Sequence, residues 1–200
     1  MEPLEDHGEG AAITPAVEAN VQDDRTLAAA LLQRDRKASA EFIARYADPI
    51  YLYVRSRLIP RTDLVDDLVQ DIFIAAWENL ASYRGDSPLG SWLHGIARHK
   101  VENYYRACLR APLALDEADQ DSAGSVKPGF DEFLDRERLQ QKTRAVLATM
   151  PEAYSLALLW RYWEQCSAEE MALRTGKTQK AIERLLARAR EMFRERWNHE

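Results

Sequence analysis

An all-α fold of two small helical domains joined by a flexible acidic linker is what this sequence predicts, on three observations. Apolar residues recur at helical spacing through two long blocks, 24–110 and 131–200. Eight glycines and eight prolines are few for 200 residues, and several fall between the periodic segments, which suits helices joined by short breaks. Between the blocks, residues 111–130 change character. Pro112, Gly124, Pro128 and Gly129 stand there among Asp116, Glu117, Asp119 and Asp121, the composition of a linker. Hydrophobic residues at 46% allow packed cores, and charged residues at 30% suit the wet faces of helices.

Residues 1–23 contain Pro3, Gly8, Gly10 and Pro15, show no sustained period, and read as a disordered acidic tail. Asp23 or Asp24 is placed to N-cap a first helix through Leu27, Leu31 and Leu32. A second helix carries Phe42, Ile43, Tyr46, Ile50, Tyr53 and Val54; Pro49 either kinks it or begins a new one, and Pro60 closes the section. From Asp63, the positions Leu64, Leu68, Ile72, Ala75 and Ala76 give helical spacing, with Asp67, Gln70, Asp71 and Glu78 on other faces. Ser82–Pro88 is a break. A long helix comes next, from about Leu89 to Arg110, with Trp92, Leu93, Ile96, Ala97, Val101 and Tyr104 inward.

The second block opens with a helix bearing Leu134, Val146 and Leu147. Pro151-Glu152 starts the next, whose inner residues are Tyr154, Leu158, Leu159 and Tyr162. Ser167 with Glu170 three residues on is a capping box. That short helix ends near Arg174-Thr175-Gly176. Thr178 caps the final helix, with Ile182, Leu185, Leu186, Ala189 and Phe193 apolar.

The net charge of −6 is unevenly distributed. Seven acids and no Lys or Arg lie in residues 1–24, leaving 27 bases against 26 acids elsewhere. Lys177–Arg196 alone carries seven bases against three acids. No apolar run approaches the roughly 20 residues of a membrane span. The acidic N-terminus lacks a signal-peptide core, so the expected compartment is the cytoplasm. Cys108 and Cys166 sit in no metal-ligand pattern and read as free thiols. His94 and His99 are five apart, where a metal pair on one helical face needs four. No nucleophile elbow, paired-carboxylate motif or Gly-rich phosphate loop appears. The expectation is therefore a protein that is not an enzyme, with no cofactor and no metal.

Two constellations point to nucleic acid. Ser167 to Arg190 has the form of a helix-turn-helix: a short capped helix, a turn with Gly176, and a second capped helix. Ala172 is small where the helices cross, and Met171 and Ile182 can close the core between them. The second helix exposes Thr178, Gln179, Lys180, Glu183, Arg184, Arg188 and Arg190, polar groups for base edges and arginines for phosphates. An ordinary helical hairpin with a solvated basic face would look similar. The other constellation is Tyr83, Arg84, Gly85, Asp86 and Ser87, followed by Trp92, Arg98, His99, Lys100, Asn103, Tyr104, Tyr105 and Arg106. Aromatics interleaved with bases suit unstacked bases; equally, Trp92 and Tyr104 fit a core.

These same residues carry a family resemblance. Asp67-Leu68-Val69-Gln70-Asp71-Ile72-Phe73-Ile74-Ala75-Ala76-Trp77 resembles the polymerase-docking helix of extracytoplasmic-function (ECF) sigma factors, group 4 of the sigma-70 family. Tyr83-Arg84-Gly85-Asp86-Ser87, with Trp92-Leu93 and Ile96-Ala97-Arg98, resembles their −10 reading segment. Met150-Pro151-Glu152-Ala153-Tyr154 and the helix-turn-helix ending Arg188-Ala189-Arg190 resemble their −35 reading domain. The likeness covers about residues 25–197 in the family's order. It implies sigma region 2 over 24–110, a linker over 111–130, and sigma region 4 over 131–200.

The resemblance also implies roles. Asp66, Asp67, Gln70 and Asp71, with Phe73 and Trp77, would bind core RNA polymerase at the clamp helices of its largest subunit. The flap of the second-largest subunit would be the other polymerase contact. Tyr83, Arg84, Gly85, Asp86 and Ser87, with Arg98, His99, Asn103 and Arg106, would melt and hold the −10 element around a flipped base. Extruding that base costs a few kcal/mol, which contacts in the pocket must supply. Thr178, Gln179, Lys180, Glu183, Arg184, Arg188 and Arg190 would dock at the −35 element of promoter DNA. Family members are commonly held by an anti-sigma factor, so the resemblance admits such a partner. The protein would work in the bacterial cytoplasm, on the nucleoid when in holoenzyme.

Two departures bear on promoter sequence. Many members carry a Lys-Ser-Arg series where this chain has Glu183, Arg184 and Leu185, and Glu183 could accept from a cytosine amine. His99 stands where several members carry Asn. The acidic tail lies outside the shared pattern and is either inert or a shield for the basic surface. Two other readings remain: a helix-turn-helix regulator that binds DNA independently of polymerase, and a sigma-like adaptor that binds only protein. The Asp67–Trp77 helix discriminates, since an ordinary repressor has no use for it.

Overall fold

A computed structural model of the chain describes residues 15–111 and 133–199, and every regular element among them is a helix. The expected linker, 111–130, falls almost wholly outside the described residues.

The N-terminal bundle holds α1 (Pro15–Leu32), α2 (Arg36–Arg55), α3 (Val65–Asn79) and α4 (Leu89–Arg110). Helix α1 starts well before the expected end of the tail, so residues 15–23 are helical rather than disordered. Proline suits a first helical position, where its missing N–H has no partner to lose. Asp24 therefore lies inside α1 and does not cap it. Its carboxylate is buried, at 1% exposure, and reaches across the bundle instead. Helix α2 is capped by Asp35, which accepts from the Ala38 N–H at 2.8 Å, and it continues through Pro49. Phe42, Ile72, Leu89, Leu93 and Val101 close the core between these helices.

The C-terminal bundle holds α5 (Phe133–Thr149), α6 (Glu152–Leu158), α7 (Ala168–Thr175) and α8 (Gln179–His199). Helix α6 runs on as a π-helical turn over Leu159–Trp163. This wider turn changes the helical register within it. Trp160 goes into the core, while Tyr162, expected inward, is 52% exposed. Met171 and Ile182 are both fully buried between α7 and α8, beside Ala172.

The two bundles pack on one another, α4 against α6 and α7. Cys108 is half-buried and Cys166 buried, both as free thiols, and burial pushes the Cys108 thiol up to about 11. No described helix is long and apolar enough to cross a membrane.

Candidate polymerase and nucleic-acid interfaces

Three surfaces gather the chemistry, and each begins from local sequence. The first is α3. Val65, Ile72, Phe73, Ala75 and Ala76 turn inward. The opposite stripe, Asp67, Gln70, Asp71, Ile74, Trp77 and Glu78, is exposed at successive i+3 and i+4 positions, with Asp66 beside it. Asp66 and Asp67 stand in the first turn, where the helix dipole favours negative charge. Among the described residues, none of Asp66, Asp67 and Asp71 enters an ion pair. The stripe is thus acidic at its start and apolar at its end. Trp77 lies edge-on to Phe42 at 5.8 Å, so the outer indole is fixed from below. Phe73, expected on this face, is 5% exposed and packs on Phe42 at 5.6 Å. One residue along a helix is a turn of 100°, and Phe73 falls in register with Val65, Val69, Ile72 and Ala76. Ile74 holds the exposed place instead. The spacing Gln70–Ile74–Trp77 was the available signal for it.

The second surface is the loop before α4. Tyr83 packs against Trp92 at 5.6 Å and donates from its hydroxyl to the Ser87 carbonyl at 2.8 Å, which closes the loop on itself. Gly85 has φ of +72°, the left-handed region that glycine enters without penalty. Its carbonyl accepts from the Arg25 guanidinium at 3.1 Å. Arg84, Asp86 and Ser87 remain exposed, while Gly85 itself is buried. Asp24, next to Arg25, accepts from the Leu89 backbone N–H at 2.7 Å, and so caps α4 from another helix. Pro88, the residue before α4, offers no side-chain cap of its own. Asp24 also receives Arg45 at 3.2 Å and the Tyr46 hydroxyl at 3.4 Å. Asp24 and Arg25 are positioning residues that sequence reasoning missed, since their partners lie some 60 residues away and no periodicity marks them.

Along α4 the expected −10 residues divide between two faces. His99, Asn103 and Arg106 share one stripe, and Arg106 donates to the Asn103 amide oxygen. Arg98 lies on the neighbouring stripe with His94, Glu102 and Tyr105. Its guanidinium is 3.8 Å from Glu164 of the C-terminal bundle.

The third surface is the helix-turn-helix. Ser167 accepts from the Glu170 N–H at 3.1 Å, and the Glu170 carboxylate accepts from the Ser167 N–H at 2.7 Å. That backbone hydrogen bond holds the Glu170 carboxyl below its usual range. Gly176 ends α7 at φ of +72°, and Thr178 accepts from the Ala181 N–H at 3.2 Å to start α8. Thr178, Gln179, Lys180, Glu183 and Arg184 are exposed along the leading turns of α8. The Gln179 amide donates to Glu183 at 2.8 Å. Arg188 and Arg190 are half-buried on the flank, with Arg190 facing the Tyr162 hydroxyl at 3.4 Å. Leu185 is core.

Comparison with known proteins finds two family patterns in this chain. The pattern described as Sigma-70 region 2 matches residues 42–110, and that described as Sigma-70, region 4 matches residues 140–193. The ECF RNA polymerase sigma-E factor of Escherichia coli (strain K12) is 33% identical over 156 residues, covering 74% of this chain and 81% of that protein. The RNA polymerase sigma factor CnrH of Cupriavidus metallidurans is 31% identical over 173 residues, covering 84% of this chain and 90% of that one. A solved structure of CnrH in complex with the cytosolic domain of CnrY aligns with 88% of this chain and 98% of that chain at 25% identity, with a TM-score of 0.40. With two family patterns in order and relatives of this identity matched over most of their length, the chain belongs to the ECF sigma factors of the sigma-70 family.

Proposed function

We propose that this chain is an alternative sigma factor that docks on core RNA polymerase through the outer stripe of α3, opens the −10 element with the Tyr83–Ser87 loop and α4, and holds the −35 element with α8. The observation that carries the reading is the α3 stripe. Three carboxylates with no ion-pair partner among the described residues, beside exposed Ile74 and Trp77, suit a basic helical partner with an apolar centre, here the clamp helices of the polymerase largest subunit. Residues 24–110 act as the −10 unit and 131–200 as the −35 unit, which also meets the flap of the second-largest subunit. Arg84, Asp86, Ser87, His99, Asn103 and Arg106 meet the melted strand. Thr178, Gln179, Lys180, Glu183 and Arg184 read the −35 groove, while Arg188 and Arg190 sit beside its phosphates. Promoter DNA and core polymerase are the partners, with an anti-sigma factor as a further protein partner. The protein works in the bacterial cytoplasm, on the nucleoid when holoenzyme is assembled.

The test is co-purification with bacterial core RNA polymerase, then promoter-specific abortive transcription. The doubly reversed variant Asp67→Lys/Asp71→Lys should lose polymerase binding while its helical circular dichroism and melting stay as in the parent, because both side chains are exposed. Normal polymerase binding by that variant refutes the docking face. Sequence-specific DNA binding without any polymerase binding would move the reading to the simple regulator.

A further inference from the structure

Helix α8 shows two kinds of chemistry along its leading turns. Ile182, Leu185, Leu186 and Ala189 bury one side of it. Gln179, Lys180, Glu183 and Arg184 are all exposed on the rest. Residues four apart are neighbours on a helical surface, so these four fall into two stripes, Gln179 with Glu183 and Lys180 with Arg184. The second stripe holds only donors. The first is different, because the Gln179 amide donates to the Glu183 carboxylate at 2.8 Å. That bond has a fixed sense. A carboxylate only accepts, so Gln179 has to turn an N–H toward it. What stays unused is the Gln179 carbonyl, one amide N–H and the second carboxylate oxygen, a set rich in acceptors. Thr178 holds this turn in place by accepting from the Ala181 N–H at 3.2 Å.

A carboxylate is out of place on such a face. Lys177–Arg196 carries seven bases against three acids, and Glu183 is the acid nearest its start. Among the described residues Glu183 enters no ion pair, so its charge does not serve to hold a base of this chain. The helix dipole favours acids in the first turn, but Glu183 stands beyond that turn, which holds no acid. Toward duplex DNA the carboxylate repels phosphates, which weakens binding to every sequence alike. Base edges answer to it differently. In the major groove the polar group of cytosine is its N4 amine, a donor. Adenine shows an N6 amine beside the N7 acceptor, guanine shows two acceptors, and thymine shows an acceptor and a methyl. A carboxylate therefore gains at cytosine, gains less at adenine because N7 faces the same oxygens, and is repelled at guanine and thymine.

We propose that Glu183, held by Gln179, selects a cytosine in the −35 element, with the N4 amine of that base as its target. The assignment rests on the sigma reading, which puts α8 in the groove, and deepens it by naming a base. Gln179 is a positioning residue. It occupies one carboxylate oxygen and restricts the rotamers of an exposed side chain, so the second oxygen meets the amine with less freedom left to lose. Lys180 and Arg184, on the neighbouring stripe, offset the repulsion between the carboxylate and the backbone phosphates.

The test uses holoenzyme assembled from the full chain and bacterial core RNA polymerase. A promoter recovered from a genomic pool by abortive transcription is randomised over its −35 element, and the templates that are transcribed are sequenced. The parent should favour cytosine at one position by about 5- to 150-fold over guanine and thymine, the discrimination of one good base contact, and by less over adenine. Glu183→Ala should lose that preference at that position alone. Gln179→Ala should keep cytosine at a several-fold smaller ratio, and a full parental ratio there overturns the holding role of Gln179. N4-methylcytosine at the same position covers the groove side of the amine while keeping its pair with guanine. It should cost the parent about as much as a wrong base and leave Glu183→Ala unaffected. Both residues are exposed, so helical circular dichroism and melting should stay as in the parent. A base preference that Glu183→Ala leaves unaltered overturns the proposal, whether binding is unchanged or is strengthened evenly for every sequence, as loss of a merely repelling charge would give. A base other than cytosine at the position that Glu183→Ala alters overturns it too. In each of these cases promoter-specific transcription by the parent shows that the sigma reading survives. No polymerase-dependent transcription from any template removes the sigma reading and the cytosine contact with it.

Discussion

Asp24→Ala is the substitution whose effect the structure defines most sharply. The carboxylate is buried and has three partners: the Leu89 N–H at 2.7 Å, Arg45 at 3.2 Å and the Tyr46 hydroxyl at 3.4 Å. These are unequal. Leu89 is fully buried, so removing the acceptor leaves a backbone donor with no water to replace it, at about 1–3 kcal/mol. The same bond caps α4, and losing an N-cap costs about 1 kcal/mol, partly the same energy counted again. Arg45 is 39% exposed, so its pair contributes only about 0–1 kcal/mol and water takes the guanidinium when the partner goes. The total is about 3 kcal/mol, dominated by the cap. At roughly 2–4 °C per kcal/mol for a chain of this size, the melting temperature should fall by about 6–12 °C. Arg45→Ala should cost under about 1 kcal/mol. Urea denaturation monitored by circular dichroism measures both. If Asp24→Ala and Arg45→Ala destabilise equally, the ion pair rather than the cap does the holding, and this ranking is wrong.

Gly85→Ala should cost about 1–2 kcal/mol and slow promoter opening, because a Cβ at φ of +72° is strained and would meet the Arg25 side chain that orients the loop; an unchanged melting midpoint argues against that geometry. Arg188→Ala should weaken promoter binding with the salt slope reduced by about 0.9, the loss of one phosphate contact; an unchanged slope removes Arg188 from the phosphate set. Glu170→Gln tests the capping box through pH. The folded carboxyl lies below the ordinary 4.5, so its contribution is complete above that value and is lost as pH falls through the lowered one. The parent should melt above Glu170→Gln at neutral pH, with the gap closing as the pH falls below the ordinary 4.5 and through the lowered value. A gap that persists in acid means the charge is not what the box uses.

What could be read from the sequence was what depends on near neighbours. Ser167 with Glu170, Gly176 and Thr178 act within three or four residues, and the structure places all of them as caps. Helical spacing located the acidic stripe of α3, but composition misled at Phe73, where the two exposed positions are the flanking Trp77 and Ile74. The start of α1 was missed because its early turns hold only small apolar residues, Ala16, Val17, Ala19 and Val21, and no large ones to mark a stripe. Tyr162, expected inward, is exposed and Trp160 is buried, because a π turn changes the period on which the reading depended. Asp24, Arg25 and Tyr105 were out of reach. Each acts on a partner far along the chain, and only the packed fold brings the two together.

The family pattern for the first bundle begins at residue 42, whereas Asp24 and Arg25 lie on the helix before it. A fragment trimmed to the matched span would keep every residue proposed to meet the promoter strand. It would still present α4 with its first buried N–H bare and Gly85 without its guanidinium. A form of the first bundle that keeps the cap and the guanidinium is therefore one that starts at α1. Within it, the Tyr83–Ser87 loop and the start of α4 are held by a helix that lies outside the family pattern.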